Sequence, residues 1–522
     1  MRTDSLPRTC LRVLLPFSLL LCAIAFAAGQ THIIVHADQG KDTISRNIYG
    51  HFSEHLGRCI YGGFYVGEAS TGIPNTRGMR NDVVAALRKL RIPVLRWPGG
   101  CFADTYHWKD GVGPKEQRPS MVNVWWGGTT EDNSFGTHEF LDLCEQLGAE
   151  PYFSGNVGSG TVEELKQWVQ YVNSPSGNPM ASLRKQNGHE EPWKVRYWGI
   201  GNEAWGCGGE MRAEHYVDVY RTFVTFMSSG WGNRGPFRIA SGAAGGDYHW
   251  TEVLMRDIPL SLLDGVALHH YAVMDWNKKG SASEFTTAQY FASMREALRM
   301  ETFVQNHIAI MDKYDPKKKV ALVVDEWGGW YDTEPGTNPS FLYQQNTMRD
   351  AMIAGVTLNT FNNHCDRVRM ANLAQTVNVL QAVVLTDGPK MLVTPTYHVM
   401  EMYTVHHDAL MLPVETGSLP CIAGKDTLQA ISVSASRDRE GFTNISLVNI
   451  DPVERHEIEV TVGEKSFASV AGRILAGRTP QDHNTFEDPQ KIHPVDFKDV
   501  KTTGTGLRLT LPPCSVVVLR CR

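Results

Sequence analysis

Two glutamates stand where an apolar, β-rich run stops: Tyr197-Trp198-Gly199-Ile200-Gly201-Asn202-Glu203-Ala204-Trp205 and Leu322-Val323-Val324-Asp325-Glu326-Trp327-Gly328. Breaking a glycosidic bond builds positive charge on the sugar carbon and negative charge on the departing oxygen, so it calls for one proton donor and one ionised carboxylate. Glu203 and Glu326 supply that pair if their strands bring them together. The acid has to stay protonated near neutrality, for which Trp198 and Trp205 could form apolar walls, while its partner stays charged. Asp325 adjoins Glu326. Strict alternation along a strand turns it to the opposite face, which predicts a supporting role for it.

Such carboxylates need elements that hold them face to face. Eight β-rich runs, at residues 48–54, 94–99, 150–155, 195–203, 238–242, 265–271, 320–326 and 357–362, alternate with helical stretches. That alternation predicts an α/β chain folded as a (β/α)8 TIM barrel. The helical links are legible in residues 81–90, with Val84, Leu87 and Leu90 at helical spacing, and in residues 137–147, with Phe140, Leu143 and Leu147. In a TIM barrel the active site forms at the C-terminal strand ends, and the fourth and seventh ends face each other across the mouth. Glu203 closes the fourth run and Glu326 the seventh. Beyond residue 405 the texture becomes strands without helices, at 428–435, 442–450, 457–462, 468–475, 507–511 and 515–519. This predicts a C-terminal β-sandwich, jelly-roll-like, over residues 401–522, after a barrel over residues 46–400. Residues 32–37 alternate in the same way, so the segment 30–45 is expected to add a strand to the sandwich.

Composition narrows the partners. The chain has 522 residues and a net charge of −6, without a basic run, which leaves no electrostatic footprint for nucleic acid. Arg2, Arg8 and Arg12 precede an apolar stretch, residues 13–28, that ends in Ala25-Phe26-Ala27-Ala28. Residues 1–29 therefore read as a signal peptide, giving an exported chain, secreted or periplasmic, with no membrane attachment after cleavage. None of the 10 Cys forms a CxxC pair, so no metal site is expected, and the spacing assigns no disulfide. Asn444-Ile445-Ser446 matches a glycosylation acceptor but lies within an alternating run, which argues against its use.

Several motifs agree on one family. The runs Tyr49-Gly50-His51-Phe52-Ser53-Glu54-His55-Leu56-Gly57-Arg58, Leu95-Arg96-Trp97-Pro98-Gly99-Gly100, Gly199-Ile200-Gly201-Asn202-Glu203, Asp325-Glu326-Trp327 and Leu373-Ala374-Gln375-Thr376-Val377-Asn378 together resemble glycoside hydrolase family 51, typified by α-L-arabinofuranosidases. The resemblance runs from about residue 30 to the C-terminus and is strongest over the barrel. It implies a retaining, two-step reaction on an arabinofuranose-containing glycan, with Glu326 as nucleophile, Glu203 as acid/base and no cofactor. It also implies that Glu54, Arg96, Asn202, Tyr271 and Gln375 hold the furanose and the nucleophile; members of the family are often homo-oligomers, but the residues themselves carry no interface signal. His269 shares strand parity with Tyr271, and so is the histidine of the His269-His270 pair expected at the mouth. Trp125, Trp126 and Trp330 fall in loops on the active face and could stack on sugar rings. Gln375 falls within a helical pattern. One departure stands out: Cys101 occupies a position where many family members carry Asn, which predicts an altered pocket there. An endoglucanase or β-xylosidase would use the same barrel and carboxylates, whereas a non-catalytic carbohydrate-binding protein would lack one of them. The full set of polar residues favours a closed pocket for one furanose, hence exo action.

Overall fold

The computed structural model describes residue 1 and residues 31–227, 235–423, 426–463 and 466–522. The expected leader thus lies, apart from Met1, outside the described residues. Eight parallel strands close into a barrel: β1 (Gly50–Phe52), β2 (Val94–Trp97), β3 (Glu150–Gly155), β4 (Tyr197–Ile200), β5 (Phe237–Ala244), β6 (Gly265–Ala272), β7 (Ala321–Gly329) and β8 (Val368–Leu373). The order around the barrel is β1 to β8, with β8 hydrogen-bonded back to β1 through Asn372 and Leu373. Strands covered on both faces read as apolar runs, and β7, buried at every position, is apolar from Ala321 to Val324 before it reaches Asp325 and Glu326. A separate cluster that includes Val94, Tyr152, Tyr197, Ile239 and Val323 plugs the barrel interior, so the site sits on a packed floor rather than over a pore.

The eighth strand differs from the sequence expectation. Residues 357–362 belong to the helix Met348–Asn363, and the strand follows it as Val368–Leu373. Val356, Thr357 and Thr360 lend that stretch a β-like composition, and the helix is buried on nearly all sides, which erases the polar stripe that marks a surface helix. Its start was written in the chain all the same. Thr347 accepts from the Arg349 N–H at 3.2 Å and the Asp350 carboxylate accepts from the Thr347 N–H at 2.7 Å, a reciprocal cap that satisfies two end groups.

The C-terminal region is a two-sheet sandwich. One sheet runs Val414–Thr416, Thr31–Val35, His456–Val462, Gly506–Leu511, Val500–Thr502; the other runs Leu410–Leu412, Ile431–Arg437, Thr443–Asn449, Ser515–Cys521, Val470–Ala476, Val495–Asp496. Thr31–Val35 lies parallel to His456–Val462, joining the first described segment to the last region of the chain. Asn444 is fully buried within its strand, where no glycan could reach it. Among the described residues, no helix is long and apolar enough to cross a membrane.

Candidate active site

The barrel mouth gathers its polar groups by two interruptions of strand regularity. Pairing of β6 with β7 shifts register between Ala267 and His269, and pairing of β7 with β8 shifts between Val324 and Trp327. The extra residue breaks alternation, as a β-bulge does. Asp325 and Glu326 consequently both reach the polar interior, contrary to the expectation that Asp325 turns away. Asp325 accepts from the Tyr152 hydroxyl at 2.7 Å and from His269 Nε2 at 3.1 Å.

Arg96, carried by β2 and 1% exposed, is the hub. Its Nη1 donates to Glu326 Oε1 at 2.9 Å, its Nη2 to Asn202 Oδ1 at 2.6 Å and its Nε to Ser154 Oγ at 3.1 Å. The planar guanidinium holds these donors in a fixed fork, so one side chain fixes three acceptors in set directions, which the rotating ammonium of a lysine does not do. Glu326 takes its second bond on Oε2, from the Tyr271 hydroxyl at 2.8 Å. Beside it the Pro98-Gly99-Gly100 turn passes so closely that a Cβ on Gly100 would stand 2.7 Å from Glu326 Oε1. The glycine is required by that approach.

Glu54 lies just beyond β1 and is 2% exposed. Its Oε1 accepts from the backbone N–H groups of Gly100 (3.0 Å) and Phe102 (3.2 Å) and from the Trp126 indole (3.0 Å), and its Oε2 from the Gln375 amide (2.5 Å). Burial and then the charge of Glu326 push the Glu54 carboxyl up to about 7, against the pull of these donors. Gln375 does not sit in a helix; it follows β8 in a buried loop, whose apolar Val377, Val379 and Leu380 had produced the helical spacing.

Glu203 sits three residues past β4 with φ +41°, in the left-handed region that side chains with a Cβ avoid. The surroundings hold it there. Asp104 accepts from the Asn202 N–H (2.8 Å), Ser241 Oγ accepts from the Ala204 N–H (3.1 Å), and the Glu203 carbonyl accepts from Gly206 (2.7 Å) and Gly208 (3.1 Å). Asp104 also receives the Val157 and Gly158 N–H groups, while burial raises its carboxyl to about 7. The Glu203 side chain is 20% exposed, more open than Glu326 at 7%.

His269 joins the two glutamates. Its Nδ1 lies 2.9 Å from Glu203 Oε1 and 3.6 Å from Glu326 Oε2, and its Nε2 faces Asp325. Burial lowers the imidazole, but the charge of Glu326 and the bonds to Asp325 and Glu203 more than offset this and raise it to about 10. That direction favours the imidazolium, the form in which both ring nitrogens donate to the carboxylates beside them.

Cys101 and Cys207 form a disulfide beside Glu203, a pairing that cysteine spacing does not reveal. The other six Cys of the described residues are buried free thiols. Every residue expected at the site, namely Glu54, Arg96, Cys101, Trp126, Asn202, Glu203, His269, Tyr271, Glu326 and Gln375, is within one connected set of contacts. Trp330 stands at the rim, its ring 5.2 Å from Tyr271 and 5.5 Å from Trp276. Trp125 is exposed instead. Sequence reasoning missed Asp104, Ser154, Ser241 and Cys207, which act through other side chains or backbone. Only Cys207 carried a signal, its position four residues past Glu203.

Family models match two stretches: the alpha-L-arabinofuranosidase 1 domain over residues 86–281 and the alpha-L-arabinofuranosidase C-terminal domain over residues 325–515. An enzyme of Bacteroides ovatus named intracellular exo-alpha-L-arabinofuranosidase is 50% identical over 511 residues, covering 97% of this chain and 99% of its own. The crystal structure of the GH51 arabinofuranosidase from Xanthomonas axonopodis pv. citri superposes with a TM-score of 0.93 at 45% identity, over 94% of this chain and 100% of that one. The arabinose complex of the Thermotoga maritima alpha-L-arabinofuranosidase gives 0.82 at 30% identity, over 94% and 99%. The intracellular Bacteroides relative overturns the expectation that this chain is exported, which had rested on the charge and apolarity of residues 1–29 alone. With one carboxylate just past β4, the other within the C-terminal half of β7, and its relatives matched along nearly their whole length, the chain belongs to glycoside hydrolase family 51, the α-L-arabinofuranosidases.

Proposed function

We propose that this family member releases terminal α-L-arabinofuranosyl residues by double displacement, with Glu326 as nucleophile and Glu203 as acid and then base. The observation that carries the assignment is the proximity of the pair: one carboxylate oxygen of Glu203 and one of Glu326 lie within 4.8 Å of each other and of a His269 nitrogen. Retaining enzymes hold their carboxyls about 5 Å apart, whereas inverting ones leave roughly 6.5–9.5 Å for a water. Glu326 receives Arg96 and Tyr271, donors that suit an ionised nucleophile aimed at the anomeric carbon. Glu203 spends Oε1 on His269, which leaves Oε2 to carry the proton to the leaving oxygen. Once the leaving group departs, the same oxygen takes a proton from the attacking water.

The remaining polar groups suit one furanose. Glu54 accepts from sugar hydroxyls, Asn202 meets the 2-hydroxyl, and Gln375 offers Oε1, a buried acceptor with no protein partner. The rest of the glycan takes the open side of Glu203, where a cavity of about 500 Å³ runs between Trp205, Trp276, Trp330 and Phe303. Aromatic faces beside the polar groups of Glu296 and Arg299 suit the rings and hydroxyls of the sugar chain of an arabinan or arabinoxylan. Aryl α-L-arabinofuranoside, assayed beside other aryl glycosides, tests the reading. Wild type should release nitrophenol from the arabinofuranoside alone. Glu326→Ala should lose at least about 10⁴-fold, and azide should restore turnover as the opposite-anomer glycosyl azide. Full activity in Glu326→Ala would remove the assignment.

A further inference from the structure

The Cys101–Cys207 disulfide lies against the oxygen that has to carry the proton. Cys207 Sγ is 3.6 Å and Cys101 Sγ 4.0 Å from Glu203 Oε2, and Cys207 Sγ is 3.9 Å from Asn202 Nδ2. The bond ties the short helical turn Cys101–Thr105, which follows β2, to the loop that follows β4, across 106 residues of sequence. Asp104 of the same turn accepts from the Asn202 N–H. One turn thus clamps the Asn202-Glu203 segment twice, by a covalent bond and by a carboxylate, and that segment needs holding because Glu203 has φ +41°. The two bridged residues are half-buried, whereas the other described cysteines are buried. A reagent in solution therefore meets this pair first.

We propose that this disulfide positions Glu203 for proton transfer, and that its reduction by a dithiol selectively slows cleavage of substrates whose leaving group needs that proton. The inference rests on Glu203 being the acid. In the oxidised pair neither sulfur carries hydrogen, so neither donates to Oε2. A dithiol thiolate attacks one sulfur, forms a mixed disulfide and closes its own ring, delivering two electrons and two protons; the products are Cys101–SH, Cys207–SH and the cyclic disulfide of the reagent. The covalent clamp is then gone. Two S–H groups also stand within reach of Oε2, where a donor favours the charged carboxylate over the acid. A sugar leaving group requires protonation, whereas dinitrophenolate departs without it, so the effect must depend on the leaving group.

The test uses the full-length protein, oxidised with glutathione disulfide or reduced with dithiothreitol, with exposed thiols counted in each state. Reduction should reveal two thiols and lower kcat/KM for an arabino-oligosaccharide at least about tenfold, leaving dinitrophenyl α-L-arabinofuranoside within twofold, and reoxidation should reverse the loss. The double variant Cys101→Ser/Cys207→Ser should behave as the reduced enzyme does. Unchanged rates on both substrates after two thiols appear, or an equal fall on both, overturns the proposal. So does an oxidised protein whose two thiols are already free. Glu203→Ala, run alongside, separates the two claims. If it cleaves the oligosaccharide at the wild-type rate, the acid assignment itself fails; if it loses that substrate while reduction changes nothing, the disulfide proposal alone fails.

Discussion

Glu54, Glu203, Asp325 and Glu326 crowd one opening with Arg96 and His269 as the facing cations, so the protonation of each depends on its neighbours. Glu54 makes this measurable. Its carboxyl titrates near 7 in the folded protein against an ordinary 4.5, so its contribution to stability is complete below 4.5 and is lost as pH rises through 7. Glu54→Gln removes that component, and the Gln375 amide, whose Oε1 is unpartnered, can turn to meet it. Between pH 4.5 and 8 the wild type should lose roughly 3 kcal/mol relative to the variant, read from urea midpoints; parallel pH dependences would contradict this. His269 has the same sign over a higher window, its contribution present below 6.5 and lost as pH rises toward 10. Glu203 and Glu326 were legible in the chain because each ends an apolar run in a polar residue. Asp104 was not, since a carboxylate that caps backbone N–H groups in a distant loop leaves no pattern in sequence.

At the scale of elements, the site depends on where regularity breaks. The bulge on β7 brings Asp325 to the inside beside Glu326, and alternation, the rule used to read strands, fails at that point. The eighth strand escaped for a related reason: the helix Met348–Asn363 is packed between barrel and sandwich, and a helix buried all round has no amphipathic period to read. The loops at the mouth were placed by their position after each strand, but their contacts were not. Trp276 lies 59% exposed with its ring 5.5 Å from Trp330, at the edge of the cavity beside Glu203. Trp276→Ala should raise KM for arabino-oligosaccharides about threefold to tenfold, as expected for one lost ring contact. The aryl glycoside, whose leaving group ends before that ring, should keep its KM. Michaelis curves for the two substrates distinguish this from a general loss of fold.

Over the whole molecule, barrel and sandwich share direct, buried polar contacts. Asn362 accepts from the Tyr49 hydroxyl at 2.6 Å and donates to Ser434 Oγ at 3.1 Å, Asn359 donates to Ser432 Oγ at 3.1 Å, and the Tyr290 hydroxyl donates to the Ile450 carbonyl at 2.6 Å. Removing one partner leaves the other buried and unsatisfied. Asn362→Leu should therefore cost about 2–4 kcal/mol of stability, lowering Tm while kcat on aryl arabinofuranoside stays within twofold. A single melting transition in wild type is expected from such coupling. The two-part architecture was legible from the change of texture near residue 405, because strand alternation and βα alternation differ in period. Which faces meet was not, since Asn359 and Asn362 read as ordinary polar residues until the helix that carries them is placed.

The central claim is that Glu326 becomes covalently joined to the sugar while Glu203 moves the proton. Its most direct test is to treat Glu203→Ala with dinitrophenyl α-L-arabinofuranoside, quench, digest and locate the label by peptide mass spectrometry. The leaving group departs unaided, and the intermediate accumulates because no base activates water. A burst of dinitrophenol and one arabinosyl group on the peptide that holds Glu326 are the expected result. A label on another residue, or steady hydrolysis without a burst or a label, would contradict it.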